Sequence, residues 1–407
     1  MHQTALGAAP RHTASHGTSF WLVAVVFLLV MAYSTVPTPL YPLYQERDGF
    51  PVPMITLIFA AYAVGVVLSL FFVGHISDWA GRRRMIGIAV LVSALSAVLF
   101  LAWSTAPGLV VARLVNGISI GILTATATAH LGELRARARP DETAVVAAAV
   151  AGASNLGGLA LGPLVGGLFA ELLPAPLVLP HAVFLVALLL AALAVTLVPE
   201  TVTPAPDRAP YRPQRLSLPP ASRRAFVPAA SGAFAGFALF GLFTALAPTI
   251  LVGTFDQPDH LVAGATTFVV FGSAAVGQVA VGHLPLRRQL VVATVACAVG
   301  LTTIALGALL PHLGIFVAGG AVAGLGVGVL FKSALATAAA LADPARRGET
   351  LALIFLVAYY GLALPVLAIG AALTVLPETV VLTTFVALVL VATVGAGIAM
   401  TREASRR

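Results

Sequence analysis

Asp78, Gly81, Arg82, Arg83 and Arg84 stand within a few residues of one another, in the stretch Gly74-His75-Ile76-Ser77-Asp78-Trp79-Ala80-Gly81-Arg82-Arg83-Arg84. This is a carboxylate, a chain-breaking glycine and three cations in a link too short to fold alone. Asp78 can pair with a nearby arginine and sit near the positive end of a helix. Such a link can form ion pairs in one state and release them in another. Two more cations, Arg113 and Lys332, lie inside apolar runs, and Lys332 is the only lysine. A charge there is costly and by default marks a polar cavity or a path for ions. Either side chain can alternatively snorkel to a water interface. Lys332, if buried, could hold a proton or an anionic substrate.

The remaining chemistry is sparse. No Asp or Glu lies in the middle of an apolar run; Glu46, Asp48, Glu133, Glu171, Asp256 and Asp259 sit at the rims. A proton path would then run through Glu46 or Asp48 with Arg113, or the protein is not proton-coupled. There is no G-x-x-x-x-G-K-[ST] phosphate cradle and no zinc-type Cys/His cluster, so neither nucleotide nor metal is expected. Ser154 and the scattered histidines form no triad spacing, and no enzyme activity is expected.

Composition states what must position these residues. The 407-residue chain is 59% hydrophobic and 9% charged, with a mean hydropathy of +1.02. That is too few charges for a soluble shell. The apolar runs reach the ~20 residues that a helix needs to cross a bilayer. They are continuous rather than alternating, which excludes barrel strands. The net charge of +7 lies in short clusters between runs, so it signals topology and not nucleic-acid binding. The single cysteine, Cys297, rules out an intrachain disulfide and leaves the redox compartment open.

Twelve spans are expected, at 20–43, 54–77, 85–103, 109–131, 143–170 and 176–198, then 226–252, 261–284, 288–310, 313–341, 349–373 and 377–401. Residues 1–19 are expected to form a disordered tail, residues 199–225 a Pro- and Arg-rich linker, and residues 402–407 a second tail. This divides the chain into a first six-helix bundle at 20–198 and a second at 226–401. With both termini in the cytoplasm, Arg82 to Arg84, Arg135, Arg137, Arg139, the linker arginines, Arg287, Arg288, Arg346 and Arg347 all fall inside. The outer loops then hold only Arg47.

The halves echo one another. Gly117-Ile-Ser-Ile-Gly121 matches Gly324-Leu-Gly-Val-Gly328 at one offset, which also maps Glu142-Thr143 onto Glu349-Thr350. Gly74-His75 is echoed by Gly282-His283, and Gly158-Leu-Ala-Leu161 by Gly361-Leu-Ala-Leu364. Repeats of this kind place a substrate site at their interface, near the bilayer midplane.

The loop at 74–84 fits G-x-x-x-D-x-x-G-R-R. It resembles the signature loop of the major facilitator superfamily, which implies an all-α membrane protein with twelve transmembrane helices in two pseudo-symmetric bundles. The resemblance also implies that Gly74, Asp78, Gly81, Arg82 and Arg83 clamp the cytoplasmic side while the cavity faces out. The helix start near Gly348 to Thr350 would be the docking partner, and Glu133 a further acidic partner. In the fifth span, Gly158, Gly162, Pro163, Gly166 and Gly167 match G-x-x-x-G-P-x-x-G-G. This is similar to the antiporter signature of the superfamily's drug/proton exporters; the same spacing also serves close helix packing. Pro163 removes one helix hydrogen bond and permits a bend. Arg113, Asn116 and Gly117 resemble the superfamily's third motif, where the arginine is linked to proton transfer; Asn116 stands where a glutamine-like residue is usual.

Prolines at 37, 39 and 42 should interrupt the first span. Tyr41 and Tyr44 are then gate residues or an aromatic belt. Tyr33, Tyr62, Asn155, Gln278, Tyr359 and Tyr360 are candidates for the cavity or for helix contacts. The expected protein is a secondary transporter without cofactor, multi-pass in the plasma membrane of a bacterium. It would work by alternating access and export small amphiphilic compounds or drugs in exchange for protons. Nutrient uptake by symport, or a non-transporting role as sensor or assembly partner, are the alternatives.

Overall fold

A computed structural model describes residues 14–73, 76–202, 213–214, 216–343 and 346–406. Every regular element described is helical. The first six spans are α1 (His16–Thr35) continued by a 3-10 turn (Thr38–Leu40) and α2 (Tyr41–Asp48), then α3 (Val52–Phe72), α5 (Arg82–Ala102), α6 (Ala106–Ala138), α7 (Val145–Leu172) and α8 (Leu179–Val195). The short α4 (Ser77–Ala80) lies between α3 and α5. The second six are α9 (Arg223–Phe255), α10 (His260–Ala280), α11 (Leu286–Leu309), α12 (Leu313–Leu341), α13 (Arg347–Ala372) and α14 (Glu378–Arg406). Eleven spans are long and apolar enough to cross a membrane, and Leu179–Val195 is a shorter apolar helix. Val25, Leu57, Leu91, Val186, Leu193 and Val391 stand exposed on the flanks, as a lipid-facing surface requires.

The boundaries follow local chemistry. The Ser15 hydroxyl accepts from the Thr18 N–H and starts α1 at His16, inside the stretch expected to be a tail. Pro37 and Pro39 break the first span where the sequence predicts, and α2 stops at Gly49, whose φ is +68°. Several bounds differ from expectation: α3 ends at Phe72 rather than near 77, and α10 at Ala280 rather than near 284. α6 continues to Ala138 rather than ending near 131; its last turns are tied down by Glu133 to Arg82, Arg135 to Glu142 and Arg137 to the Thr201 carbonyl. α8 is shorter than the 176–198 expected. α14 runs through the expected tail to Arg406.

The sequence repeat has a packing counterpart. Gly117 and Gly121 of α6 lie against the α3 backbone at Tyr62 and Val66, and Gly324 and Gly328 of α12 lie against α10 at Val270 and Ala274. Gly158 of α7 meets α1 at Leu28, and Gly361 of α13 meets α9 at Phe234. At each of these positions an added Cβ would collide with main chain, so the spacing recorded in the sequence is a helix-packing code.

Candidate functional site

A cavity of about 340 Å³ lies between the two sets of six helices. Its first-half wall mixes small and polar residues, among them Thr35, Thr128, Gly152 and Asn155, with Phe59, Tyr62, Leu156 and Leu159. Its second-half wall is aromatic, with Phe237, Phe240, Phe271, Phe331 and Phe355. Phe240 and Phe271 stack at 4.4 Å, and Phe237 meets Phe331 at 4.7 Å. Among the described residues, the only charged side chains lining it are Arg113 and Lys332.

Arg113 does not snorkel. It is 1% exposed; one Nη donates to the Ser34 carbonyl at 2.6 Å, and the guanidinium lies 4.5 Å above the Tyr62 ring. Its contact to Asn116 Oδ1 is long, 3.5 Å, and its Nε has no partner. Lys332 Nζ donates to the Gln278 carbonyl at 2.7 Å. Among the described residues neither cation forms an ion pair with a carboxylate.

The cavity continues into a vestibule of about 450 Å³, since Thr124, Thr128, Phe355 and Tyr359 line both. The vestibule is bounded by Ser77, Asp78 and Arg82 from the first half and by Gly348, Leu351 and Ala352 from the second. It opens on the side that carries both ends of the described chain: Ala14 N–H donates to Leu197, and Arg287 to Ser405. On the opposite side the halves touch. Gly167 rests on the backbone of His260 and Leu261, and Gly264 on that of Pro163. The His260 N–H donates to Glu171 at 3.1 Å, and its ring Nδ1 lies 3.3 Å from the same carboxylate. Thr56 of α3 packs on Gly370 of α13.

The gating residues are gathered round Arg82. Asp78 is 2.6 Å from Arg82 and Glu133 is 3.2 Å from it. Gly81 adopts φ +103°, a conformation that an L side chain rarely takes. Gly74 lies outside the described residues. Glu200, which the sequence reading passed over, holds the assembly: its carboxylate accepts from the backbone N–H of Arg82 at 2.8 Å and Arg83 at 3.1 Å. It therefore caps α5 from across the chain. The Arg83 guanidinium donates to Val198 O, and the Thr201 hydroxyl joins Glu133 to His130. The signal for Glu200 was its charge: an acid directly after the sixth span, on the arginine-rich side.

The glycine motif divides between two neighbours. Gly158, Gly162 and Gly166 face α1 and its continuation at Leu28, Ala32 and Val36, whereas Gly167 faces α10. Pro163 sits inside an unbroken α7. Gly117 serves the α3 contact.

Several candidates lie elsewhere. Tyr41 and Tyr44 are buried, which removes the aromatic-belt alternative. Tyr33 packs in the first half, its hydroxyl 3.1 Å from His181 Nδ1, while Tyr44 meets Nε2 at 3.2 Å. His181 also stacks on Phe100 at 4.5 Å; nothing in the sequence set it apart. The structure does not bring Glu46 or Asp48 to Arg113: Asp48 pairs with Arg47 at 2.6 Å, and Glu46 lines a small cleft with Pro258 and Asp259. Tyr62, Tyr359, Asn155 and Gln278 do line the cavity, and Tyr360 faces outward.

Solved transporter structures share this arrangement. The human organic anion transporter MFSD10 (TETRAN) superposes with a TM-score of 0.64 at 17% identity, covering 94% of this chain and 99% of that one. A bacterial homologue of the human lysosomal transporter Spinster, inward-facing and occupied, gives 0.65 at 14% identity over 98% of both chains. A point mutant of the nucleoside transporter NupG gives 0.69 at 11% identity over 94% and 99%. At these identities the likeness is one of fold. No curated protein sequence matches the chain. Residues 22–366, most of the sequence, match the Major Facilitator Superfamily. A helical membrane fold with a cavity between its halves, and a family match of that length, lead to one conclusion: the chain belongs to the Major Facilitator Superfamily and is a secondary transporter, not an enzyme.

Proposed function

We propose that this transporter is an exporter that moves small amphiphilic compounds out of a bacterial cell in exchange for protons, by alternating access. The observation that carries the reading is a cavity between the halves that is open on one side only. The arginine clusters lie on the open side, which supports its being cytoplasmic, with both termini inside the plasma membrane. The cavity is then loaded from within, as export requires. The α7 glycine face supports the antiporter branch, because Gly167 belongs to the contact that shuts the outer side.

In this scheme the two halves, bounded near 20–198 and 226–401, rock about the cavity. The Asp78–Arg82–Glu133 cluster leaves its present pairing and docks at the α13 start near Gly348 when the inner side closes. The solved neighbours include transporters described for organic anions and for nucleosides, so the fold does not select the cargo.

The test is efflux of fluorescent amphiphiles from energised cells. Wild type and Asp78→Asn are compared at equal membrane levels, with and without a protonophore. Efflux lost with the protonophore, and cut more than tenfold by the substitution, is expected. Efflux that survives the protonophore removes proton exchange, and accumulation in place of efflux reverses the direction.

A further inference from the structure

We propose that the cargo is an organic anion: one carboxylate or sulfonate head on a flat aromatic body. This rests on the transporter reading above and names the class of substrate for its cavity. Among the described residues, Arg113 and Lys332 are the only charged groups lining the cavity, and no acid lines it to balance them. Arg113 is almost fully buried, yet the described structure offers it one close carbonyl, one long amide contact and the ring faces of Tyr62 and Phe59. A guanidinium carries five N–H donors, and one close carbonyl and one long amide contact leave its Nη groups with donors to spare. Lys332 spends one of three donors on Gln278. Two cations with spare donors beside a low-dielectric cavity are a site for an anion.

Position separates their roles. α6 and α12 both start at the closed side. Arg113 is seven residues into α6 and Lys332 nineteen into α12, so they lie about 10 Å and about 28 Å from that end. Arg113 is therefore at the base of the cavity and Lys332 at the mouth, where its Nζ points to the Gly282 end of α10. Lys332 draws the anionic head in from the vestibule, and Arg113 holds it at the base. The body lies against the Phe237, Phe240, Phe271 and Phe331 rings, whose faces suit a flat apolar group. A cavity of about 340 Å³ accommodates two or three fused rings. The absence of a carboxylate among the cavity-lining residues fits this cargo. An anion leaving a compartment held at negative potential is also driven outward by that potential, which adds to the drive from proton exchange.

The test uses the purified full-length chain and three probes with one ring system: naphthoate, naphthylmethylammonium and naphthalenemethanol. Equilibrium binding should favour naphthoate over the ammonium by at least tenfold. Lys332→Gln and Arg113→Gln should each cut naphthoate affinity about tenfold while leaving the alcohol unchanged, and Lys332→Arg should restore it. A packing role would move all three probes alike. If Arg113→Gln does not fold, Lys332→Gln carries the test, since Lys332 makes a single backbone contact. Ammonium or alcohol binding as tight as naphthoate, or no naphthoate binding, overturns the proposal. Dye efflux with no naphthoate preference sinks the anion site and spares the exporter. Naphthoate preference without transport in proteoliposomes sinks the exporter and spares the site.

Discussion

Glu200 shows how one side chain can hold a moving part. Its carboxylate takes four backbone N–H groups, those of Arg82, Arg83, Thr201 and Val202. Charge-assisted caps of this kind contribute about 1–2 kcal/mol. Glu200→Gln keeps the shape and removes the charge, so it should lower the apparent melting temperature of the purified protein by about 2 °C. It should also slow transport, because α5 then presents Arg82 less firmly to Asp78. An unchanged melting curve would mean that the cap is dispensable. Asp78 differs, because its side chain is 64% exposed and its pair with Arg82 is a surface pair. Such pairs add about 0–1 kcal/mol, so Asp78→Asn should spare folding and act on the conformational cycle.

At the scale of elements, small residues decide which helices can approach. Gly167 of α7 and Gly264 of α10 let the halves meet on the closed side with main chain against main chain. A side chain at either position pushes the helices apart, at an overpacking cost of about 1–3 kcal/mol. Gly167→Val should therefore shift the population toward an outer-open state by roughly tenfold or more. A cysteine at Thr244, which lines the cavity, reports this in a Cys297→Ala background. A membrane-impermeant thiol reagent added outside should label it several-fold faster when Gly167 is Val. Equal labelling rates would show that the α7–α10 contact does not hold the outer side shut. The three other motif glycines, turned toward α1, predict no such gain, since that contact stays within one half.

For the whole molecule, the prediction concerns the opposite side. Ala129 of α6 and Ala352 of α13 line the vestibule from different halves. Cysteines at both positions, again without Cys297, should cross-link faster when cargo drives turnover. The cross-linked protein should lose transport and regain it on reduction. Normal transport through an intact cross-link would rule out rocking of the halves as the mechanism. The buried Arg113 and the Asp78 loop lie at different depths of this one continuous space, so a change of state alters both environments together.

The amino-acid sequence by itself determined what periodicity and composition can carry. The helical membrane class, the set of spans and the Asp78–Arg82–Glu133 grouping were legible because each depends on run length, charge placement or local spacing. The repeat was legible too, because Gly117 and Gly324 answer the same packing demand at one register. What the tertiary structure decided depends on partners distant in the chain. Glu200 caps a helix 118 residues away, and His181 meets Tyr33 across 148 residues. Arg113 could be read as snorkelling or as buried until Ser34 and Tyr62 were placed around it. The aromatic wall is assembled from four helices of the second half, and no local pattern marks those phenylalanines apart from lipid-facing ones. Hydropathy reports that a side chain is apolar; only packing decides whether it faces lipid, a neighbouring helix or the cavity.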